Sequence, residues 1–419
     1  MIIKMAWKNI FRYKRRTLIT ASAIAFGVFF TILMDALLFG MDNESLQNLL
    51  DYETGGAKIF AKGYFEEREK YPVNYLISAE EKQQIFSELD KQKKKYTPQV
   101  FASSEIYFNE DYFPASGSIS SVLIGVDIEK SKDVFLTSTK IEQGRWFTEE
   151  DKSFGGVIIG SWIAQDMNAE PGYYLTVQCK GKGGFTQTMD VPIIGIIQTP
   201  DINVNMNHVY MDIDFLDQML EMEGDVTAIS IDLGSQSTVD KNFTKLSQSL
   251  LLPENTELYS WSQIERDLIS IQALYSNLTS VLMFFMFIVA AVGISNTMLM
   301  SVLERRNEIA MLKAMGYTHF YILRLFMYEG ISIGIVGCIL GMIIAFIANI
   351  PLSVYGLDFT NMLGEVDIGY RISGIMKSGW NLSGFISISL GSLLVCAIAS
   401  YIPAVSTVKE ETAEIFRKV

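Results

Sequence analysis

Four apolar stretches, Leu18–Leu38, Leu278–Val302, Leu325–Ile350 and Ser383–Pro403, constrain this chain more than any other feature. Each is close to the roughly 20 residues that a helix needs to cross a bilayer. Only Asp35 and Glu329 place acids inside them, each near one end. In hydrocarbon, backbone polar groups must bond within their own segment, so such runs become spanning helices. The chain is 49% hydrophobic yet 19% charged, which fits spans joined to a sizeable water-exposed part. The expectation is an α-helical membrane protein with four transmembrane helices and a large α+β extracytoplasmic domain inserted between spans 1 and 2.

Basic residues orient it. Residues 1–16 carry Lys4, Lys8, Arg12, Lys14, Arg15 and Arg16 and no acid, which places the N-terminus in the cytoplasm. The apolar run that follows exceeds the about 7–15 residues of a signal peptide and no small-x-small site follows it, so it reads as an uncleaved anchor. The resulting order is a leader 1–16, span one 17–41, an external domain 42–270 and span two 271–302. A cytoplasmic loop 303–324, span three 325–351, a short external loop 352–382, span four 383–404 and a cytoplasmic tail 405–419 complete it. Residues 42–270 hold 37 acids and 19 bases, a net charge of −18, so the acidity belongs to the external domain. That charge argues against nucleic-acid partners and against tight docking on anionic lipid. Cys179 is alone in that domain, so no disulfide forms within it and core burial has to hold it together.

Within 42–270, "AKIFAKGY" (57–64) alternates like a strand, and "VLIGVDI", "GVIIG", "YLTVQ", "MDVPIIGII" and "HVYMDI" are strand-like runs bounded by Gly, Asp and Pro. Ser78 and Glu81 have capping-box spacing and open a helix over 78–92, with shorter helices expected at 160–168, 214–222 and 238–251. Gly181, Gly183 and Gly184 mark a hairpin tip. Past Asp35 and before the second span, apolar residues keep a helical rhythm, interrupted only by Gly40. Both helices are therefore expected to run on beyond the bilayer as a paired stalk. Leu38, Met41, Leu274 and Leu278 would line the rim of an apolar lateral entrance.

Catalytic signals are weak. His208 and His319 fall in different compartments, so no histidine-based metal site or Ser/His/Asp triad assembles in one chain. "GGVIIGS" (155–161) lacks the lysine of a phosphate loop and reads as a buried strand. Asp201, Asp212, Asp214 and Asp217 match no calcium loop and read as a solvated face. No catalytic and no metal-ligating residue is therefore assigned. Gly334, Gly337 and Gly341 in span three suit close helix packing, Gly337 and Gly341 at small-xxx-small spacing. Glu329 is costly in a span unless it finds a partner. In the cytoplasmic loop, Ile309, Leu312 and Met315 form an apolar stripe with Met311 beside it. Glu304, Arg305 and Glu308 form a charged end, and Gly316 a C-terminal stop. A short amphipathic helix here either lies on lipid or docks a soluble partner.

The stretch "SVLERRNEIAMLKAMGYTHFYILRLFMYEG" resembles the segment after the second span in the MacB/LolC/LolE/FtsX superfamily of ABC permeases. "MAWKNIFRYKRRTLIT" is similar to its amphipathic N-terminal helix. "VLIGVDI", "IEQGRWFTEEDKSFGGVIIGSWIAQDM" and "VPIIGII" are similar to its MacB-type periplasmic core, and "YIPAVSTVKEETAEIFR" to its C-terminus. Tyr173 stands where the pattern has Asp, and Glu410 or Glu411 where it has Pro. The resemblance implies a coupling helix in which Glu304, Arg305, Glu308, Ile309, Leu312 and Gly316 meet a separate cytoplasmic ABC ATPase. ATP and magnesium would be on that ATPase, with no cofactor bound by this chain. It further implies a second permease copy or paralogue, the cell inner (cytoplasmic) membrane with the large domain periplasmic, and a lipoprotein as cargo. The alternatives are export of a peptide or small molecule with a periplasmic adaptor, and force transmission to a cell-wall hydrolase. In LolC-type subunits a longer loop near "CKGKGGFTQTMD" hooks a lipoprotein chaperone; the short loop here argues against such capture.

Overall fold

A computed structural model describes residues 14–110, 113–358 and 375–408. Most of the expected leader 1–16, the centre of the loop 352–382 and most of the tail 405–419 lie outside the described residues. The chain divides into two compact units. Among the described residues, one holds 14–41, Ile271–Asp358 and 375–408; the other holds Asp42–Ser270.

The first long helix, α1 (Lys14–Leu49), runs directly into a π-helical turn, Leu50–Thr54, which Gly55 closes at φ 70°. Strand β1 (Gly56–Ala61) follows, and then helix α2 (Ala79–Lys91). The Ser78 Oγ accepts from the Glu81 N–H while the Glu81 carboxylate accepts from the Ser78 N–H at 3.0 Å, the expected capping box. A long hairpin is next, β2 (Tyr96–Glu110) and β3 (Phe113–Val126), then β4 (Ile141–Gly144) and β5 (Val157–Gly160). Helix α3 (Ser161–Met167) leads to the hairpin β6 (Tyr174–Lys180) and β7 (Thr186–Ile197), which leaves a five-residue tip. Strand β8 (His208–Asp212), helix α4 (Ile213–Leu220), β9 (Ala228–Asp232), helix α5 (Val239–Ser249) and β10 (Thr256–Ser260) complete the domain.

These strands form one mixed sheet in the order β10-β1-β9-β2-β3-β8-β5-β7-β4, with β6 paired to β2 and β7. Only β3–β8 and β5–β7 run parallel among the described pairs. Side chains alternate across the sheet. Ile59, Val100, Leu123 and Val209 join one core together with Ile85 of α2, Leu216 of α4 and Leu246 of α5. Their neighbours Phe60, Phe101, Ile124 and Tyr210 face the opposite way, into a second, aromatic core. Both sheet faces are therefore covered, which explains why β1 is buried at all six positions.

The aspartates read as a solvated face are the main correction. Asp201 and Asp212 are fully buried, and each caps a helix: Asp201 accepts from the Asn203 N–H, Asp212 from those of Asp214 and Phe215. Asp217 accepts from the Gly224 N–H at 2.8 Å. Helix capping explains Asp201 and Asp212 and a turn amide Asp217, whereas Asp214 is exposed as the solvated-face reading expects.

Past β10 come α6 (Arg266–Glu304), the short α7 (Arg306–Ala314), α8 (His319–Val354) and α9 (Leu382–Val408). Helices α1, α6, α8 and α9 are the four described helices long and apolar enough to cross a membrane. At 36 and 39 residues, α1 and α6 exceed the about 30 Å hydrocarbon thickness, so both extend past a span. The membrane unit has its own core, in which Ile24 and Val28 of α1 meet Ile294 and Met298 of α6 and Phe326 and Ile333 of α8. Gly40 does not break α1. Its missing side chain admits the returning backbone of Lys377–Gly379, whose Gly379 N–H donates to the Ala36 carbonyl at 2.7 Å. Near the same end, Asn381 Nδ2 donates to the Asp35 carboxylate at 2.9 Å.

Candidate functional site

The joint between α6, α7 and α8 brings together a cluster of charged residues of the membrane unit. Helix α6 ends at Glu304 because Arg305 leaves helical geometry, at φ −105° and ψ 19°, and α7 starts in a new direction. Arg305 turns inward. Its Nη1 donates to Glu329 of α8 at 2.9 Å and its Nε to Glu308 of α7 at 2.9 Å, with the guanidinium 5.8 Å from the Phe326 ring centre. Arg305 and Glu329 are 9% and 2% exposed, so this pair has left water. A guanidinium suits the position, since its planar fork serves two carboxylates at once. Glu329, costly alone, thus has its charge balanced across the joint.

Helical spacing sorts α7 into two faces. Arg305, Ile309 and Leu312 recur at i, i+4 and i+7; Ile309 is buried in the membrane core and Leu312 packs against it. On the opposite face Asn307 and Met311 are exposed, as are Glu304 at the end of α6 and Met315 just past α7. The expected stripe of Ile309, Leu312 and Met315 is thus corrected at its last member: α7 stops at Ala314, and Met315 caps it facing outward. The stop is a Schellman motif. Gly316, at φ 86°, donates to the Lys313 carbonyl at 3.0 Å and Tyr317 to that of Leu312 at 3.1 Å. Thr318 then caps α8 by accepting from the Tyr321 N–H. The charged end expected at Glu304, Arg305 and Glu308 is likewise divided: Glu304 is exposed, Glu308 half-buried, and Arg305 belongs to the interior.

The three glycines of α8 pack on two helices. A Cβ on Gly337 would come within 2.8 Å of Ile24, and one on Gly341 within 2.7 Å of the Ala25 carbonyl, so α1 crosses here. Gly334 instead meets Cys396 of α9. The four rim positions differ among themselves: Met41 is buried, Leu38 half-buried, and Leu274 and Leu278 exposed. Helix α6 also exposes Val281, Leu282, Phe284 and Phe285, which only an apolar surrounding accommodates. Among the described residues no group of three or more His, Cys, Asp or Glu side chains could hold a metal ion. Sequence reasoning missed the Arg305–Glu329 pair, although an acid inside a span is itself a signal that a cation waits nearby.

The sequence matches the MacB-like periplasmic core domain family over residues 17–247 and the FtsX-like permease C-terminal family over 280–412. An uncharacterized ABC transporter permease of Methanocaldococcus jannaschii is 24% identical, over 99% of this chain and 97% of its own length. The macrolide export ATP-binding/permease protein MacB of Aggregatibacter actinomycetemcomitans is 24% identical over 82% of this chain. The chain spans 52% of that relative's length. The lipoprotein-releasing system transmembrane protein LolE of Haemophilus influenzae is 20% identical over 70% of this chain and 71% of its own length. With one family covering α1 and the sheet domain and the other the helices that follow, this multi-pass membrane protein belongs to the MacB/LolC/LolE/FtsX superfamily of ABC transporter permeases.

Proposed function

We propose that this chain is the transmembrane subunit of an ABC transporter that works by transmitting motion. A separate cytoplasmic ATPase seats on the exposed face of α7, and it holds the ATP and magnesium. The N-terminus, α7 and the C-terminus face the cytoplasm, the sheet domain faces outward, and a second permease copy or paralogue completes the complex. The two-faced α7 carries this reading. Its inner face is fastened to α8 by Arg305, Glu329 and Ile309, so force applied to Met311 and Met315 outside would pass into a span. Extended α1 and α6 would then act as the stalk that moves the external domain.

For cargo, we favour export of a peptide or small molecule over lipoprotein release. The macrolide-export relative matches at higher identity and coverage than LolE, 24% over 82% of the chain against 20% over 70%. The five-residue β6–β7 tip is also short for capturing a chaperone. One observation supports the lipoprotein alternative: Leu274 and Leu278 leave an apolar surface for acyl chains.

The test is reconstitution with the cognate ATPase. Met311→Asp with Met315→Asp should abolish co-purification of the ATPase while the permease keeps its unfolding temperature. Replacing the joint with Arg305→Met and Glu329→Leu should keep the ATPase bound but lower cargo-stimulated hydrolysis. Unchanged ATPase binding in the methionine variant would sink the docking assignment. Stimulation by triacylated peptides alone would restore lipoprotein release.

A further inference from the structure

The aromatic face of the sheet encloses a cavity of about 230 Å³ that the transport reading does not use. Its floor comes from alternate residues of neighbouring strands: Lys58 and Phe60 of β1, Phe101 of β2, Ile124 of β3 and Tyr210 of β8. Tyr64 and Tyr71 cover one side. The acids stand differently. Glu53 and Glu265 are half-buried, Glu69 and Asp267 exposed, so the carboxylates gather toward the solvent side of a chamber that the half-buried Arg68 and the polar Gln99, Asn203 and His208 also line.

Lys58 is the anomaly. It is 7% exposed, its Nζ lies 4.5 Å from the centre of the Phe101 ring, and it forms no hydrogen bond or ion pair with the described residues. Burial lowers its pKa to about 8, with Glu53 and Glu265 acting in the opposite sense. Glu53 and Glu265 act on this ammonium only at a distance, so beside the Phe101 ring it lacks the directly bonded anion that would normally compensate it. A second lining residue, Ser131, has a buried Oγ without a hydrogen-bond partner among the described residues. The chamber therefore has an unmet demand for an anion inside, rings to hold an apolar body, and acids that would repel a purely anionic ligand. A ligand meeting all three conditions carries its anion inward and a cation outward.

We propose that this cavity binds the carboxyl end of a short peptide with an aromatic last residue preceded by a basic one. The carboxylate would meet Lys58, the ring would rest among Phe60, Phe101 and Tyr210, and the basic side chain would reach Glu265 and Asp267. Tyr52 and Glu53 lie on the π-turn that continues α1, and Asp267 lies in the first turn of α6. An occupant thus touches both chain segments that lead into the first two spans. This inference stands independently of the ATPase assignment.

Isothermal titration calorimetry on the full chain in detergent tests it, with the dipeptide Lys-Phe as probe. Saturable single-site binding is expected. Amidation of the carboxyl group should weaken it by about thirtyfold or more, since a buried charge loses its partner. Glu-Phe and Lys-Ala should both bind more weakly than Lys-Phe. Lys58→Met should bind Lys-Phe and its amide equally, without a lower unfolding temperature at neutral pH. If that variant does not fold, the amide comparison on the unaltered chain decides alone. Equal binding of Lys-Phe and its amide, or no saturable heat at millimolar dipeptide, overturns the proposal.

Discussion

Lys58 shows how residue-level polarity misleads when both faces of a sheet are covered. In "AKIFAKGY" the polar/apolar alternation reads as one dry and one wet face, and Lys58 falls on the wet one. The second aromatic core makes that face an interior too. The chain accepts a buried ammonium there, and the consequence is a pH dependence. With a folded pKa near 8 against an ordinary 10.5, the folded state holds this proton less tightly than the unfolded state does. The destabilisation is complete below pH 8 and relieved as pH rises from about 8 to about 10.5, because in that window the unfolded state binds more protons. The whole effect is about 3 kcal/mol. Thermal or denaturant unfolding of the full chain should show Lys58→Met more stable at pH 7, with the advantage shrinking by pH 10. A constant advantage across that range would mean that Lys58 is not desolvated. Arg305 teaches the converse: its place beside Arg306 suggested a surface charge, and the acid that draws it inward is 24 residues later in the chain.

Elements whose ends are written in local chemistry were readable. Ser78 with Glu81 started α2, and Gly316 stopped α7, since capping needs only neighbouring residues. The expected helices at 160–168, 214–222 and 238–251 appear as α3, α4 and α5 within a few residues. Strand β2 was not readable. Pro98 and the pair Ser103–Ser104 interrupt its apolar alternation, and its stability comes from partners distant in sequence, such as Ser104 against Ser121 at 2.8 Å. Strands β9 and β10 were missed for the same reason, being short segments fixed by β1. In the membrane, glycine spacing showed that α8 has a close neighbour but not which helix that is. Gly337→Val should push α1 away, lowering stability by about 1–3 kcal/mol as overpacking does. Gly293→Ala, with nothing within 4 Å of the added carbon, should change little. Detergent unfolding of the two variants side by side checks this, and equal losses would refute the close crossing.

At the scale of the whole molecule, the charge asymmetry that oriented the chain remains to be tested by labelling. The natural cysteines, Cys179, Cys338 and Cys396, are all buried, so the background is low. A cysteine at the exposed Tyr317 should resist a membrane-impermeant maleimide added to intact cells, whereas one at the exposed Glu221 should react. The reverse pattern would invert the proposed topology. The sheet order carries a further consequence, for biosynthesis. Strand β1, which follows the π-turn at the end of α1, is flanked in the sheet by β9 and β10. The first strand made must therefore wait for about 170 residues of further chain before β9 exists and about 200 before β10 does, contact separations of the kind that slow folding. During that wait its edges are open, and an unpaired strand edge recruits whatever chain is near. Synthesis of this protein thus passes through a stage in which α1 is already made while the sheet that follows it in the chain lacks its closing strands. Ribosome-bound chains arrested before residue 256 are where a chaperone or a quality-control protease would act.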